Sequence, residues 1–383
     1  MDDGHAVRAA LQEASAALGR GDPAAAERRL AQAERAAPAD LDIKLQLALV
    51  KRLSGRLEEA VAVLDQALAI DPYCFLALLS KGAIVERQGQ ARAAARIYKD
   101  ALAIAPADLP PGLAAPVART RAAVERNAED LEAFLRARVS ARDLPPRFAE
   151  GLEVYAGRKR VYNSQPLLLH YPGLPSIPFF EREHFPWLPD LEAATDIVRD
   201  ELLASLDPAL TGFDPYIAYP PGAPVNQWEE LNHSRKWTSK WLWKDGQVQA
   251  EVQSAHPRTT ALLDSLPLAR QAGFSPTAVF SALEPRTHIP PHTGSTNVRL
   301  LVHLPLILPG PARFRVGNHT RSWEMGKAWV FDDTIEHEAW NDADQTRVIL
   351  IFDVWNPLLG EGERAMITEM MTARRAFYAA EGE

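Results

Sequence analysis

Two histidines stand close together in PPHTGSTNVRLLVHLPL, residues 290–306: His292 just ahead of an apolar run and His303 inside it. A third, His337, lies in SWEMGKAWVFDDTIEHEAWNDADQTRVILIFDVWNP, and Arg347 follows it by ten residues at the head of another apolar run. Neutral imidazole binds first-row divalent metals. An arginine opening a buried strand wants an anion to pair with. The pattern poses a metal site beside an anion pocket, against the plainer reading of satisfied core histidines and a surface salt bridge. Strand alternation puts Arg299, Leu301 and His303 on one face, and Arg347 on a face with Ile349 and Ile351. Polar side chains on one face of an apolar strand imply a lined cavity, because burying them without partners is costly.

These residues need strands to hold them. The spacing predicts strands over Thr277–Leu283, Val298–Leu308, Ala312–Gly317, Ala328–Asp332 and Arg347–Trp355, with turn segments such as GNHTRSWEMG between some of them. Short strands without intervening helices point to a β-sandwich or jelly roll. Upstream, LLLHYPGLPSIPFFEREHFPWLPDLEAA reads as Pro-punctuated irregular chain leading into one helix, Asp190–Leu206.

The first third is built differently. Shifted by 34 residues, the chain matches itself: Gly21, Gly55 and Gly89 align, as do Ala26, Ala60 and Ala94, Ala33, Ala67 and Ala101, and Pro38, Pro72 and Pro106. Glycine suits the turn between two helices, alanines let the helices approach, and proline ends the second. This pattern resembles the tetratricopeptide repeat, with three units over residues 1–106. A linker and capping helix (Val117–Val139) occupy residues 107–144, and the strand-bearing domain occupies 145–383. Repeat stacks present concave surfaces that hold peptides or partner proteins.

The chain of 383 residues has a net charge of −8 and no basic cluster, which argues against nucleic acid as the main partner. Cys74 is the single cysteine, so no intramolecular disulfide can form, and a reducing compartment fits. The opening MDDGHAVRAALQEASAALGRGD has acids where a signal peptide has bases. No window approaches the ~18 apolar residues of a membrane span. The expectation is a cytoplasmic protein without membrane attachment. Nothing in the sequence fixes its oligomeric state.

Taken together, VFSALEPRTHIPPHTGSTNVRLLVHLPL, the block around His337 and, more weakly, RKWTSKWLWKDG resemble the aspartyl/asparaginyl β-hydroxylase family of Fe(II)- and 2-oxoglutarate-dependent dioxygenases. The resemblance implies a double-stranded β-helix of jelly-roll, cupin-like type, behind an α-solenoid of repeats in some members. It implies His292 and His337 as iron ligands, and Arg347 and Ser281 on the distal carboxylate of 2-oxoglutarate. His303 would contact that cosubstrate, with Trp237 nearby. A carboxylate ligand two residues after the first histidine, common in the wider superfamily, is absent from the family; here the position is Gly294, and water would fill the open coordination site. One departure stands out. An arginine that a family member carries two residues before His303 is here Leu301, which loses a cationic contact to the cosubstrate; Arg299, two residues earlier, keeps the same strand face and is counted among the cosubstrate-binding residues.

The implied reaction consumes O2 and 2-oxoglutarate and hydroxylates Cβ of an aspartyl or asparaginyl side chain. The repeats favour a peptide or protein substrate. Alternatives are a free amino acid, a small metabolite, a lipid acyl group, or a repeat scaffold without turnover.

Overall fold

The computed structural model describes residues 3–140, 143–207, 209–271 and 273–379. It forms two compact units, Met1–Arg160 and Val161–Glu383.

The first unit is helical. Helices α1 (Asp3–Gly19), α2 (Pro23–Ala36), α3 (Leu41–Leu53), α4 (Leu57–Ile70), α5 (Phe75–Arg87) and α6 (Ala91–Ala103) form three pairs. Gly21, Gly55 and Gly89 occupy the turns within the pairs at φ 77°, 77° and 80°, a left-handed backbone that glycine adopts without steric penalty. The repeated alanines, Ala26, Ala60, Ala94 and Ala33, Ala67, Ala101, are all buried where helices meet. Asp22 and Asp40 cap α2 and α3 by accepting from the Ala25 and Ile43 amides.

Helix α7 (Ala114–Arg136) covers the exposed side of α6, with Ala123 and Val124 against Tyr98 and Val85. Helix α8 (Pro146–Ala156) follows and belongs to this unit. Residues 141 and 142 of the expected linker lie outside the described residues.

The second unit is an antiparallel β structure with helices on one side. Helices α9 (Leu188–Ala193) and α10 (Thr195–Ser205) replace the single helix expected over Asp190–Leu206. The break falls where the Thr195 hydroxyl donates back to the Glu192 carbonyl, a local bond that competes with the helix ladder. The strands are β1 (Asp214–Pro215), β2 (Trp237–Lys244), β3 (Gln247–Val248), β4 (Ala278–Leu283), β5 (Thr287–His292), β6 (Arg299–Ile307), β7 (Ala312–Val316), β8 (His319–Ser322), β9 (Trp329–Phe331), β10 (His337–Asn341) and β11 (Arg347–Trp355). Helices α11 (Ala250–Ala255) and α12 (Pro257–Asp264) lie between β3 and β4, and α13 (Glu361–Ala379) follows β11.

One sheet runs β1-β2-β4-β11-β6-β9 with β3 beside β2; the other runs β5-β10-β7-β8. All five expected strands are present. The strands not foreseen include β5, which contains Pro290 and Pro291. Proline signals against a strand, but β5 is an edge strand, where a missing amide breaks no ladder.

Alternation sorts the side chains of the larger sheet. Phe280, Leu304, Leu350 and Phe352 face Leu188, Leu191, Val198 and Leu263 on the helices. Val279, Leu283, Ile349 and Ile351 face the smaller sheet, where Ile289, Phe314 and Ala339 meet them. Strand β11 is therefore buried on both faces, which explains the unbroken run RVILIFDVW. The site lies between the two sheets.

Candidate active site

His292 ends β5 and His337 begins β10, and the two residues are direct partners in the antiparallel register. Their ring centroids stand 4.0 Å apart. Each Nδ1 lies against a backbone carbonyl two residues back: Pro290 at 2.8 Å for His292, Ile335 at 3.0 Å for His337. A proton on each Nδ1 satisfies those carbonyls and leaves each Nε2 with a free lone pair. Burial pulls His292 down to about 4. Burial, with His292 beside it, pulls His337 well below the ordinary histidine value. Both rings are neutral at physiological pH, the form that binds a metal.

The other end of the cavity is cationic. Arg347 opens β11 and is 1% exposed. Its guanidinium lies 4.7 Å from the Trp323 ring, but Nε and Nη1 have no hydrogen-bond partner. Burial draws its pKa down to about 9. Ser281 on β4 pairs in register with Ile349, two residues into β11 from Arg347. The Trp237 indole, on β2, donates to Ser281 Oγ at 3.0 Å. His303 on β6 packs against Phe331 and Phe314, at 4.7 and 5.0 Å between centroids, and its Nδ1 is buried without a partner. Burial and the Arg347 charge hold it well below the usual histidine value.

All seven residues singled out in the sequence line one cavity of about 230 Å³: Trp237, Ser281, His292, Arg299, His303, His337 and Arg347. They are not all together within it. Arg299 pairs across the sheet with Trp355, eight positions along β11 from Arg347. Its guanidinium bonds Asp353 and lies 4.6 Å from the Phe274 ring. Strand geometry thus places Arg299, expected to bind the cosubstrate, in the same cavity but away from Arg347, with Asp353 as its partner.

Three contributors were not foreseen. Asp333 is buried and lines the cavity. Burial pushes its carboxyl up to about 7, and Oδ1 has no partner. The carboxylate fills the space beside Gly294: a Cβ built there would fall 1.9 Å from Asp333 Oδ2. The chain thus brings a carboxylate from the second histidine block to the place where a side chain at 294 would project. The paired acids of FDDTIEH were the available signal. Asp332, the other one, turns away to Thr334. Trp228 sets its ring 4.9 Å from His292, and Tyr216 stacks on Trp237 at 4.0 Å. Both come from the irregular stretch before β2, which carries no periodic signal.

Among the described residues, no group of three or more His, Cys, Asp or Glu side chains converges on one point. The donor set is two imidazoles. An Fe(II) ion suits such nitrogen donors when further ligands come from small molecules. The unpartnered Nε and Nη1 donors of Arg347 suit a carboxylate in the same cavity. The residues present therefore fit both the metal and a dicarboxylate cosubstrate.

Comparison with known proteins gives the following. Residues 193–357 match the family model described as aspartyl/asparaginyl beta-hydroxylase, and residues 17–76 match a tetratricopeptide repeat model. The chain is 36% identical over 176 residues to the human aspartyl/asparaginyl beta-hydroxylase, covering 45% of this chain and 22% of that protein. It is 33% identical over 200 residues to the ornithine lipid ester-linked acyl 2-hydroxylase of Rhizobium tropici, covering 51% and 66%. It is 28% identical over 203 residues to the human aspartate beta-hydroxylase domain-containing protein 2, covering 52% and 53%. The match thus spans about a fifth of the first relative's length. No described helix is long and apolar enough to cross a membrane.

Proposed function

Because the chain carries a domain of the aspartyl/asparaginyl β-hydroxylase family behind tetratricopeptide repeats, we propose that it is an Fe(II)- and 2-oxoglutarate-dependent dioxygenase. Its reaction is hydroxylation of Cβ in an aspartyl or asparaginyl side chain of a peptide or protein, with succinate and carbon dioxide as co-products. The two facing sheets are read as the double-stranded β-helix of that family.

The observation that carries the proposal is the pairing of opposite needs in one cavity. Two neutral imidazoles present lone pairs at one end, and a buried arginine without an acidic partner waits at the other. A protein keeps a buried, unpaired guanidinium at a cost to stability, and a bound carboxylate repays it. His292 and His337 hold the metal. Arg347 and Ser281 bind the distal carboxylate, with Trp237 fixing the serine hydroxyl. His303 lies beside the cosubstrate. Iron, 2-oxoglutarate and dioxygen bound together supply the oxidising power for inserting oxygen into an aliphatic C–H bond. Trp228, Tyr216 and the aliphatic walls exclude water and orient the substrate carbon.

The repeats are proposed to hold the peptide or protein substrate. The cytoplasm, a reducing compartment, is the proposed setting, supported by a single cysteine.

The test is an anaerobic titration of Fe(II) and 2-oxoglutarate into apoprotein, followed by visible absorbance. A weak charge-transfer band in the wild type that His337→Ala removes is the expected result. A folded wild type without the band refutes the reading.

A further inference from the structure

Resting on the dioxygenase reading above, we propose that a groove on helix α13 holds the stretch of substrate peptide flanking the reacting residue, and that it selects an apolar side chain with an acidic one beside it.

The groove lies outside the cavity between the sheets. It encloses about 540 Å³ and is walled by Leu168, Leu169, Phe274 and, from α13, Met370, Met371 and Tyr378. That volume falls in the ordinary range of ligand sites, about 300–1,000 Å³. Leu168, Met370 and Tyr378 stay exposed although they are large and apolar. Single exposed apolar side chains are commonplace; several lining one groove mark a contact surface. Methionine adapts its shape to what it meets, which suits a subsite for varied apolar side chains.

The rim is basic. Arg374 and Arg375 line the groove, and among the described residues neither has an acidic partner. Arg374 instead lies 4.8 Å over the Tyr378 ring. Two guanidinium groups beside apolar walls complement an apolar residue next to an aspartate or glutamate.

Position ties the groove to the chemistry. The Leu168 and Leu169 amides donate to the Ser295 carbonyl at 2.9 and 3.1 Å, and Ser295 lines the cavity of His292 and His337. On the other wall, the Phe274 ring lies 4.6 Å from the Arg299 guanidinium, and Arg299 lines that cavity too. Single residues thus separate the two spaces. An extended peptide advances about 3.3 Å per residue, so an anchor roughly three residues from the reacting carbon reaches the groove. A peptide suits this route better than an acyl chain. The crossing holds the ion pair of Arg299 with buried Asp353 and the Ser295 backbone. A peptide backbone can hydrogen-bond to such groups, whereas a hydrocarbon would desolvate them without replacing the bonds.

The experiment uses full-length protein loaded anaerobically with Fe(II) and 2-oxoglutarate. Nonapeptides with aspartate or asparagine at the centre and random flanks are captured on it and sequenced by mass spectrometry. Myristate binding is measured in parallel by calorimetry. The variants are the double change Arg374→Glu with Arg375→Glu, and Met370→Gln. All three side chains are exposed and none lines the catalytic cavity, so both proteins should fold and give the wild-type absorbance band.

On the wild type, an apolar residue should be enriched about tenfold at one flanking position, and an acidic residue about threefold to fivefold beside it. The double variant should reverse the charge preference to lysine and arginine, which a structural role for these arginines would not produce. Met370→Gln should weaken the apolar preference and leave the acidic one. An acidic preference that persists in the double variant overturns the inference. Myristate bound in place of peptide, and lost in Met370→Gln, overturns it in favour of an acyl chain. A normal band with random flanks, or with no peptide retained, sinks this inference alone. An absent band in the wild type sinks the dioxygenase reading, and the inference falls with it.

Discussion

Replacing Arg347 by methionine should make the second unit more stable and leave it unable to bind 2-oxoglutarate. The magnitude follows from the burial of the guanidinium. Arg347 is 1% exposed, no carboxylate pairs with it among the described residues, and burial lowers its pKa from 12.5 to about 9. At about 1.4 kcal/mol per pKa unit, that drop corresponds to about 5 kcal/mol against the charged form. The sign is that of a base with a depressed pKa: at pH 7, below both values, the group is protonated folded and unfolded, so the folded state bears the whole penalty.

Methionine is unbranched and adaptable, and it fills most of the same volume. It forfeits the contact with Trp323, worth about 1–2 kcal/mol. A net gain of roughly 3–4 kcal/mol remains, or about 6–16 °C in Tm for a unit of this size.

Differential scanning calorimetry with and without millimolar 2-oxoglutarate makes the measurement. The wild type should rise in Tm with the cosubstrate, through linkage. Arg347→Met should start higher and not respond. A lower starting Tm would mean that the native fold already satisfies the arginine, and the reasoning from an unpaired charge would fail.

Other outcomes follow from the same geometry. Gly294→Ala drives a Cβ into the buried Asp333 carboxylate; urea unfolding should show a loss of about 1–3 kcal/mol, and adding Asp333→Ala should recover most of it. Tyr98→Phe removes a buried hydroxyl that donates to Glu86 at 2.7 Å, and the helical unit should lose about 1 kcal/mol by the same method. Glu27 is held below the ordinary carboxylate value chiefly by its hydrogen bond from Arg56, with Lys51 adding to it. A depressed carboxyl stabilises above its unfolded value and loses that contribution as pH falls through its folded value. Glu27→Gln should therefore be less stable than the wild type at pH 7, with the difference shrinking as the pH is lowered through the acid range, measured by thermal melts across it.

Sequence legibility differed between the two units for a physical reason. In the helical unit each repeat carries its own instructions: the turn glycine, the close-packed alanines and the closing proline act within one helix pair and recur. The period therefore announced both the elements and how they stack. In the β unit, β4, β6 and β11 were legible because strands buried on two faces leave apolar runs. Strand β5 was not, since its prolines are tolerated only because it lies at a sheet edge, and edge position is a property of the whole sheet.

The sequence by itself determined the residue types of the site and their order: His292, His303, His337, Arg347, Ser281 and Trp237, each legible from local context or from its match to known motifs. Pairing across strands decided the rest. Only the register of β5 against β10 put the two imidazoles face to face. Only the register of β6 against β11 carried Arg299 away from Arg347 and onto Asp353. And only the approach of two loops brought Asp333 against Gly294, thirty-nine positions earlier in the chain. A sequence lists which charges a chain owns; which of them neutralise one another depends on distances that exist only after the sheets close.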